Sequence, residues 1–104
     1  MILADLIKGT DYLQISGNAD ADVCGIEIDS RQIGKGYVFV AIKGTVQDGH
    51  QYIGKAIQAG ASVVVCEDIP EMPDEAVTYV RYASTEAVVG LLATGFYGDP
   101  TSNM

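Results

Sequence analysis

The 104 residues contain no tryptophan, one histidine, two cysteines, three prolines and six basic residues against fourteen acids. Each shortage removes a class of function. The net charge of −8 excludes a general binder of nucleic acid or of acidic membrane surfaces, both of which recruit cations. Two cysteines are too few for a disulfide framework. Neither Cys24 nor Cys66 has metal-ligand spacing or a histidine near it in sequence, so both are expected to be buried, reduced thiols. One histidine with no serine or cysteine at a nucleophile elbow leaves no visible catalytic set. No Gly-x-x-x-x-Gly-Lys-Ser/Thr loop is present. No apolar run reaches the roughly 18 residues of a membrane span, so no membrane insertion is expected. The start, Met1-Ile-Leu-Ala-Asp-Leu-Ile-Lys8, lacks the basic leader of a secretory signal, and a cytoplasmic location is expected.

What is present is enough apolar material, 48% of the residues, for one compact domain. Apolar residues at 2, 3, 6 and 7 have helical spacing, with Lys8-Gly9 as a stop. Residues 12–16 and 23–28 alternate and predict short strands, the second with Cys24, Ile26 and Ile28 on one face. Tyr37–Ile42 is a dense β-forming run and predicts an inner strand. Asp48 and Gln51 form a capping box for a helix that places Tyr52, Ile53, Ala56 and Ile57 on one stripe, and Gly60 ends it. Residues 62–66 and 78–82 predict two further strands. Ser84 caps a last helix with Val88, Leu91, Leu92 and Phe96 as its buried stripe. The pattern predicts an α/β fold, a three-layer sandwich around a small mixed sheet. Strands 37–42 and 62–66 are joined through a helix and should be parallel, whereas the earlier strands have the option of antiparallel pairing.

Charge singles out one stretch. From Arg31 to Cys66 the net charge is +3, and the remainder of the chain carries −11. A locally positive segment in an acidic protein suits a small anion while repelling polyanions; the alternative is that these loops merely lack acids. Two places within reach of it read as binding sites. Asp29-Ser30-Arg31 follows a strand. Ser30 offers a hydroxyl and Arg31 a planar fork for phosphate, although local sequence alone favours a simple Asx or serine turn. Gly44-Thr-Val-Gln-Asp-Gly49 precedes a helix, where glycines and free N–H groups admit an anion. Asp48 reads equally as a helix cap, and His50 as a surface residue. Both places follow strands of one sheet and are expected to lie near each other at its edge.

Ile28-Asp-Ser-Arg31, Gly36-Tyr-Val-Phe-Val-Ala-Ile-Lys-Gly44, Asp48-Gly-His-Gln-Tyr-Ile53, Ala56-Ile-Gln-Ala-Gly-Ala61 and Phe96-Tyr-Gly-Asp-Pro-Thr-Ser102 occur in that order. The set resembles the N-terminal, UDP-binding domain of the Mur ligases, and most of all the group that makes UDP-N-acetylmuramoyl-tripeptide. The resemblance implies an ATP-dependent amide ligase that adds the third stem amino acid to UDP-N-acetylmuramoyl-L-alanyl-D-glutamate in bacterial peptidoglycan and cell-wall biogenesis, and so serves cell shape, cell division and the cell cycle. It implies residues 1–98 as the substrate-binding domain and 99–104 as the start of a linker. ATP and Mg2+ would belong to a central domain outside this chain, leaving no cofactor and no metal here and the fragment inactive alone. Its partners would be that substrate and the central and C-terminal domains of the same chain, with no nucleic acid. Carried over by position, Ile28 and Ser30 contact the uridine side. Thr45, Val46 and Gln47 lie along the nucleotide and its pyrophosphate, where Val46 offers only backbone. Asp48, Gly49 and His50 shape that loop, and Arg31 is a supporting residue of the site. Two alternatives stay open: the Mur ligase that adds D-alanyl-D-alanine, which shares the Asp-Ser-Arg and Asp-Gly-His blocks, and a stand-alone α/β interaction module. Nothing in these residues selects meso-diaminopimelate over L-lysine as the third amino acid.

Overall fold

A computed structural model describes residues 2–8, 10–18, 20–42, 52–69 and 76–97, with side chains described through residue 94. The elements run α1 (Leu3–Ile7), β1 (Gln14–Ser16), β2 (Gly25–Glu27), a 3-10 turn (Ser30–Gln32), β3 (Tyr37–Val40), α2 (Ile53–Ala59), β4 (Val63–Cys66), β5 (Thr78–Arg81) and α3 (Thr85–Tyr97). The sheet order is β1-β5-β4-β3-β2. Strands β2 to β5 are parallel to their neighbours, and β1 alone pairs antiparallel, with Ile15 opposite Val80. The expected mixed sheet with a parallel β3-α2-β4 unit is therefore what forms. Of the two earlier strands, only β1 takes the antiparallel option. β2 lies parallel to β3, with Ile26 opposite Val38.

Alternation along the strands sorts the core into two layers. Ile26, Val38, Val40, Val63, Val65 and Val80 point to one face, where Leu3, Leu6 and Ile7 of α1 and Val88 and Leu92 of α3 cover them. Phe39, Ala41, Val64, Cys66 and Tyr79 point to the other, beneath Ile53 and Ala56 of α2 and Ile33. Strands buried on both faces carry continuous apolar runs, which is why Val63-Val-Val-Cys66 has no polar position. Tyr52 and Ile57 complete the α2 stripe as partly buried residues. Gly60 ends α2 as expected. Its φ of 121° lies in the left-handed region, and its N–H bonds the carbonyls of Ala56 and Ile57. A Cβ there would stand 2.8 Å from the Lys35 Cα.

Three expectations are corrected. Cys24 is exposed, not buried. β2 is a three-residue edge strand, and the residue that fills the core before it is Val23, three positions ahead of Ile26. The strand pleat does not extend through Cys24, so its side chain leaves the core. Ile28 lies past the other end of β2 and is 54% exposed, so it does not share the face of Ile26. On α3, Leu91 is 61% exposed. Thr85, Val88 and Leu92 form the buried face, with Val89 on its flank, and at about 100° per residue Leu91 falls on the opposite flank. Phe96's side chain lies outside the described residues, as does the Asp48–Gln51 capping box.

The start of α3 is set by bonds from two other elements. Ser84 Oγ accepts from the Ala87 N–H at 3.3 Å, the cap expected of it. In addition the Glu67 carboxylate, just past β4, accepts from the Thr85 N–H at 3.1 Å. The Thr85 hydroxyl is fully buried, 2.9 Å from the Ala41 carbonyl and 3.1 Å from Glu67 Oε2, and shares its one proton between them. This network fastens α3 to the carboxyl ends of β3 and β4.

Thr85→Val keeps the shape and removes the buried hydroxyl that the Ala41 carbonyl and the Glu67 carboxylate accept from. It should lower stability by about 1–3 kcal/mol, read as a shift in the urea midpoint without a change in slope. Burial pushes the Cys66 thiol up to about 12. An alkylating reagent at neutral pH should therefore label Cys24 alone in the folded chain, and both cysteines after unfolding. Equal labelling rates in the folded chain would contradict this placement of the two thiols.

Candidate functional site

The four parallel strands end along one edge of the sheet, and the chain opens a cleft there. Its lining is Ile28, Asp29, Ser30, Arg31, Tyr52 and Lys55, around a volume of about 530 Å³. The first four residues leave the end of β2. The last two come from the residue that opens α2 and from its first turn. Ligands of open α/β sheets commonly sit outside the carboxyl ends of strands, and this cleft has that position.

The Asp29–Arg31 segment is held by its own side chains. Asp29 Oδ1 accepts from the Arg31 N–H at 2.9 Å and so caps the 3-10 turn. Arg31 then folds back: its Nε lies 3.2 Å from Oδ1 and one terminal nitrogen 2.9 Å from Oδ2. The fork that the sequence offers to phosphate is engaged by a carboxylate two residues away. Both groups are solvent-facing, the Arg31 side chain at 86%. Bonding to the Arg31 side chain, then to its N–H, holds the Asp29 carboxyl below its ordinary value, and the same side-chain bond raises Arg31. The turn expected from local sequence is thus present, and it sits inside the cleft.

Lys55 Nζ stands 5.6 Å from the centre of the Tyr52 ring, a distance at which a cation is drawn to the ring face. Among the described residues Lys55 has no carboxylate partner. Since Arg31 and Asp29 cancel, the formal charge of the six lining side chains is +1, and Lys55 carries it.

Of the residues singled out in sequence, the structure brings Ile28, Ser30 and Arg31 together. Thr45, Val46, Gln47, Asp48, Gly49 and His50 lie outside the described residues. Sequence reasoning missed Tyr52 and Lys55 as site residues. It places Tyr52 only on the helix stripe, and Lys55 only among the four cations of the positive segment. The available signal was their place in the first helical turn after a glycine-rich loop. No three side chains of His, Cys, Asp or Glu gather among the described residues as a metal site requires. No helix among them is long and apolar enough to cross a membrane.

Comparison with known proteins adds a family. Residues 22–97 match the model described as Mur ligase family, catalytic domain. The whole chain is 54% identical to 22% of the length of UDP-N-acetylmuramoyl-L-alanyl-D-glutamate–2,6-diaminopimelate ligase of Phocaeicola vulgatus. Over 98% of the chain it is 45% identical to the protein of that name from Bacteroides thetaiotaomicron, covering 21% of it. The chain thus spans about a fifth of the length of these curated relatives. Among solved structures, UDP-N-acetylmuramoylalanyl-D-glutamyl-2,6-diaminopimelate–D-alanyl-D-alanyl ligase from Acinetobacter baumannii superposes with a TM-score of 0.70 at 22% identity, covering 86% of this chain and 20% of that one. At that identity the likeness speaks for the fold.

The Asp29–Arg31 clamp predicts a proton titration. The Asp29 carboxyl should titrate below the ordinary 3.8, and Arg31→Gln should return it toward that value. Because the folded value is depressed, the contribution of the clamp is present above the ordinary value and is lost as pH falls through the folded one. Carboxyl carbon shifts followed by NMR measure both; an unchanged midpoint in Arg31→Gln contradicts the clamp.

Proposed function

The chain belongs to the Mur ligase family, and from that premise we propose that it is the unit that docks the UDP end of UDP-N-acetylmuramoyl-L-alanyl-D-glutamate. In this reading residues 1–98 form the docking domain and 99–104 begin a linker to an ATP- and Mg2+-binding domain. The names of the relatives support a ligase that joins 2,6-diaminopimelate to UDP-N-acetylmuramoyl-L-alanyl-D-glutamate; in this reading it is ATP-dependent, adds the third stem amino acid and acts in the bacterial cytoplasm in cell-wall biogenesis, and so in cell shape and division.

The observation that carries the docking reading is the cleft itself. Ile28 and Ser30, which the family resemblance assigns to the uridine side, line it together with a cation, at the carboxyl edge of the sheet. Ile28 is an exposed apolar surface for the flat face of a base, and the Ser30 hydroxyl can donate to and accept from its polar edge. Thr45, Val46 and Gln47 follow in sequence after β3, whose carboxyl end lies beside that of β2, and the resemblance assigns them to the nucleotide and its pyrophosphate, with Asp48, Gly49 and His50 as supporting residues. The chain's own role is to bind and orient. Contacts at the nucleotide end are remote from the D-glutamyl carboxyl, and they serve the reaction by fixing where that carboxyl stands. ATP and Mg2+, held elsewhere, would supply activation of the carboxylate.

Titration of the 104-residue chain with UDP and with the UDP-muramoyl-dipeptide, followed by calorimetry or NMR, should show binding at millimolar concentrations or below. Ser30→Ala should weaken it by about 5- to 10-fold, the range of one lost hydrogen bond, with unchanged thermal stability. Absence of binding to either ligand at millimolar concentrations overturns the docking reading; unchanged affinity in Ser30→Ala removes Ser30 from it.

A further inference from the structure

We infer that Lys55, rather than Arg31, is the described cation that receives the diphosphate of the nucleotide, and that Asp29 enforces this division by holding the Arg31 guanidinium. The inference rests on the nucleotide reading of the cleft and adds which charge does the work. Arg31 is the residue that sequence alone nominates, because its fork matches phosphate. In the structure that fork meets both oxygens of Asp29 at 2.9 and 3.2 Å. A phosphate taking it over would have to displace a carboxylate that the Arg31 N–H also holds in place. The incoming anion would then face the Asp29 charge at close range, and that repulsion offsets its attraction to the guanidinium.

Lys55 meets neither obstacle. Its ammonium lines the same cleft, has no carboxylate partner among the described residues and rests over the Tyr52 ring. A contact of this kind at an exposed site is weaker than a hydrogen bond between charged groups. The ammonium can therefore leave the ring for a phosphate oxygen, or bond to it while staying near the ring. Three rotatable donors on a four-carbon stem suit a diphosphate whose position is set by other contacts. Charge neutrality of the Asp29–Arg31 pair also means that removing Lys55 leaves the lining with no net positive charge.

The test compares UDP with uridine, which lacks the phosphates, in NMR titrations of the wild-type chain and of Lys55→Gln, Lys55→Arg and Arg31→Gln, each checked for folding by its thermal transition. The expected result has four parts. Wild type prefers UDP to uridine. Lys55→Gln loses roughly 10-fold or more in UDP affinity and binds uridine as before. Lys55→Arg retains most of the UDP affinity, and Arg31→Gln loses less than Lys55→Gln does. The inference is overturned if Lys55→Gln binds UDP as wild type does, or if it loses UDP and uridine equally, which would mark a packing role. It is also overturned if Arg31→Gln is the more damaging change. In all three cases uridine binding by wild type leaves the nucleotide cleft standing. Wild-type chain that binds neither UDP nor uridine overturns the cleft reading and this inference together.

Discussion

Burial of β3 and β4 on both faces is the constraint from which the rest of the structure follows. Val38, Phe39, Val40 and all of Val63–Cys66 have 1% exposure or less. Backbone groups at that depth have no water and must pair in the sheet. Both faces must also be covered, one by α1 and α3 and the other by α2. The α2 crossover returns the chain to the same end of the sheet between β3 and β4, and β2–β3 and β4–β5 are parallel pairs as well. The carboxyl ends of β2 to β5 therefore share one edge, and the segments leaving β2 and entering α2 meet there. The cleft is a consequence of how the core is covered.

The same edge concentrates the structure's polar bonding. Glu67 ties α3 to the end of β4, and Thr85 ties it to the end of β3 through the Ala41 carbonyl. Ala41 and Ile42 are the described residues directly after β3. The position of Ala41 is fixed by a buried hydroxyl on a different element. On the other side of the cleft the Asp29–Arg31 clamp gives the turn after β2 one defined shape. Charge appears here in two forms: carboxylates anchor backbone N–H groups, and Lys55 lines the cleft with no carboxylate partner among the described residues.

This arrangement suits a fold shared by ligases of divergent sequence. A structure with 22% identity superposes with a TM-score of 0.70, because two-sided strands and covering helices tolerate many apolar sequences. The residues of the cleft stand on a strand end, a 3-10 turn and a first helical turn, where side chains can change without repacking the core. The sheet edge itself stays rigid while the residues standing on it vary.

By itself the sequence determined the strands that are continuously apolar, the helix between β3 and β4, its end at Gly60, and the parallel β3–β4 pairing. In each case the signal is local: period, composition, or a glycine at a φ that other residues resist. The turn at Asp29 was legible for the same reason, since an Asx cap needs only its neighbours. Tertiary structure alone decided the rest. It placed β2 parallel to β3, because pairing at a sheet edge depends on which partner is free. It exposed Cys24, Ile28 and Leu91, because a short edge strand and a helix anchored through Thr85 set which side faces the core. It brought Tyr52 and Lys55 to the turn after β2, and it occupied the Arg31 fork with Asp29. Those are distances between side chains in space, and spacing along a chain does not encode them.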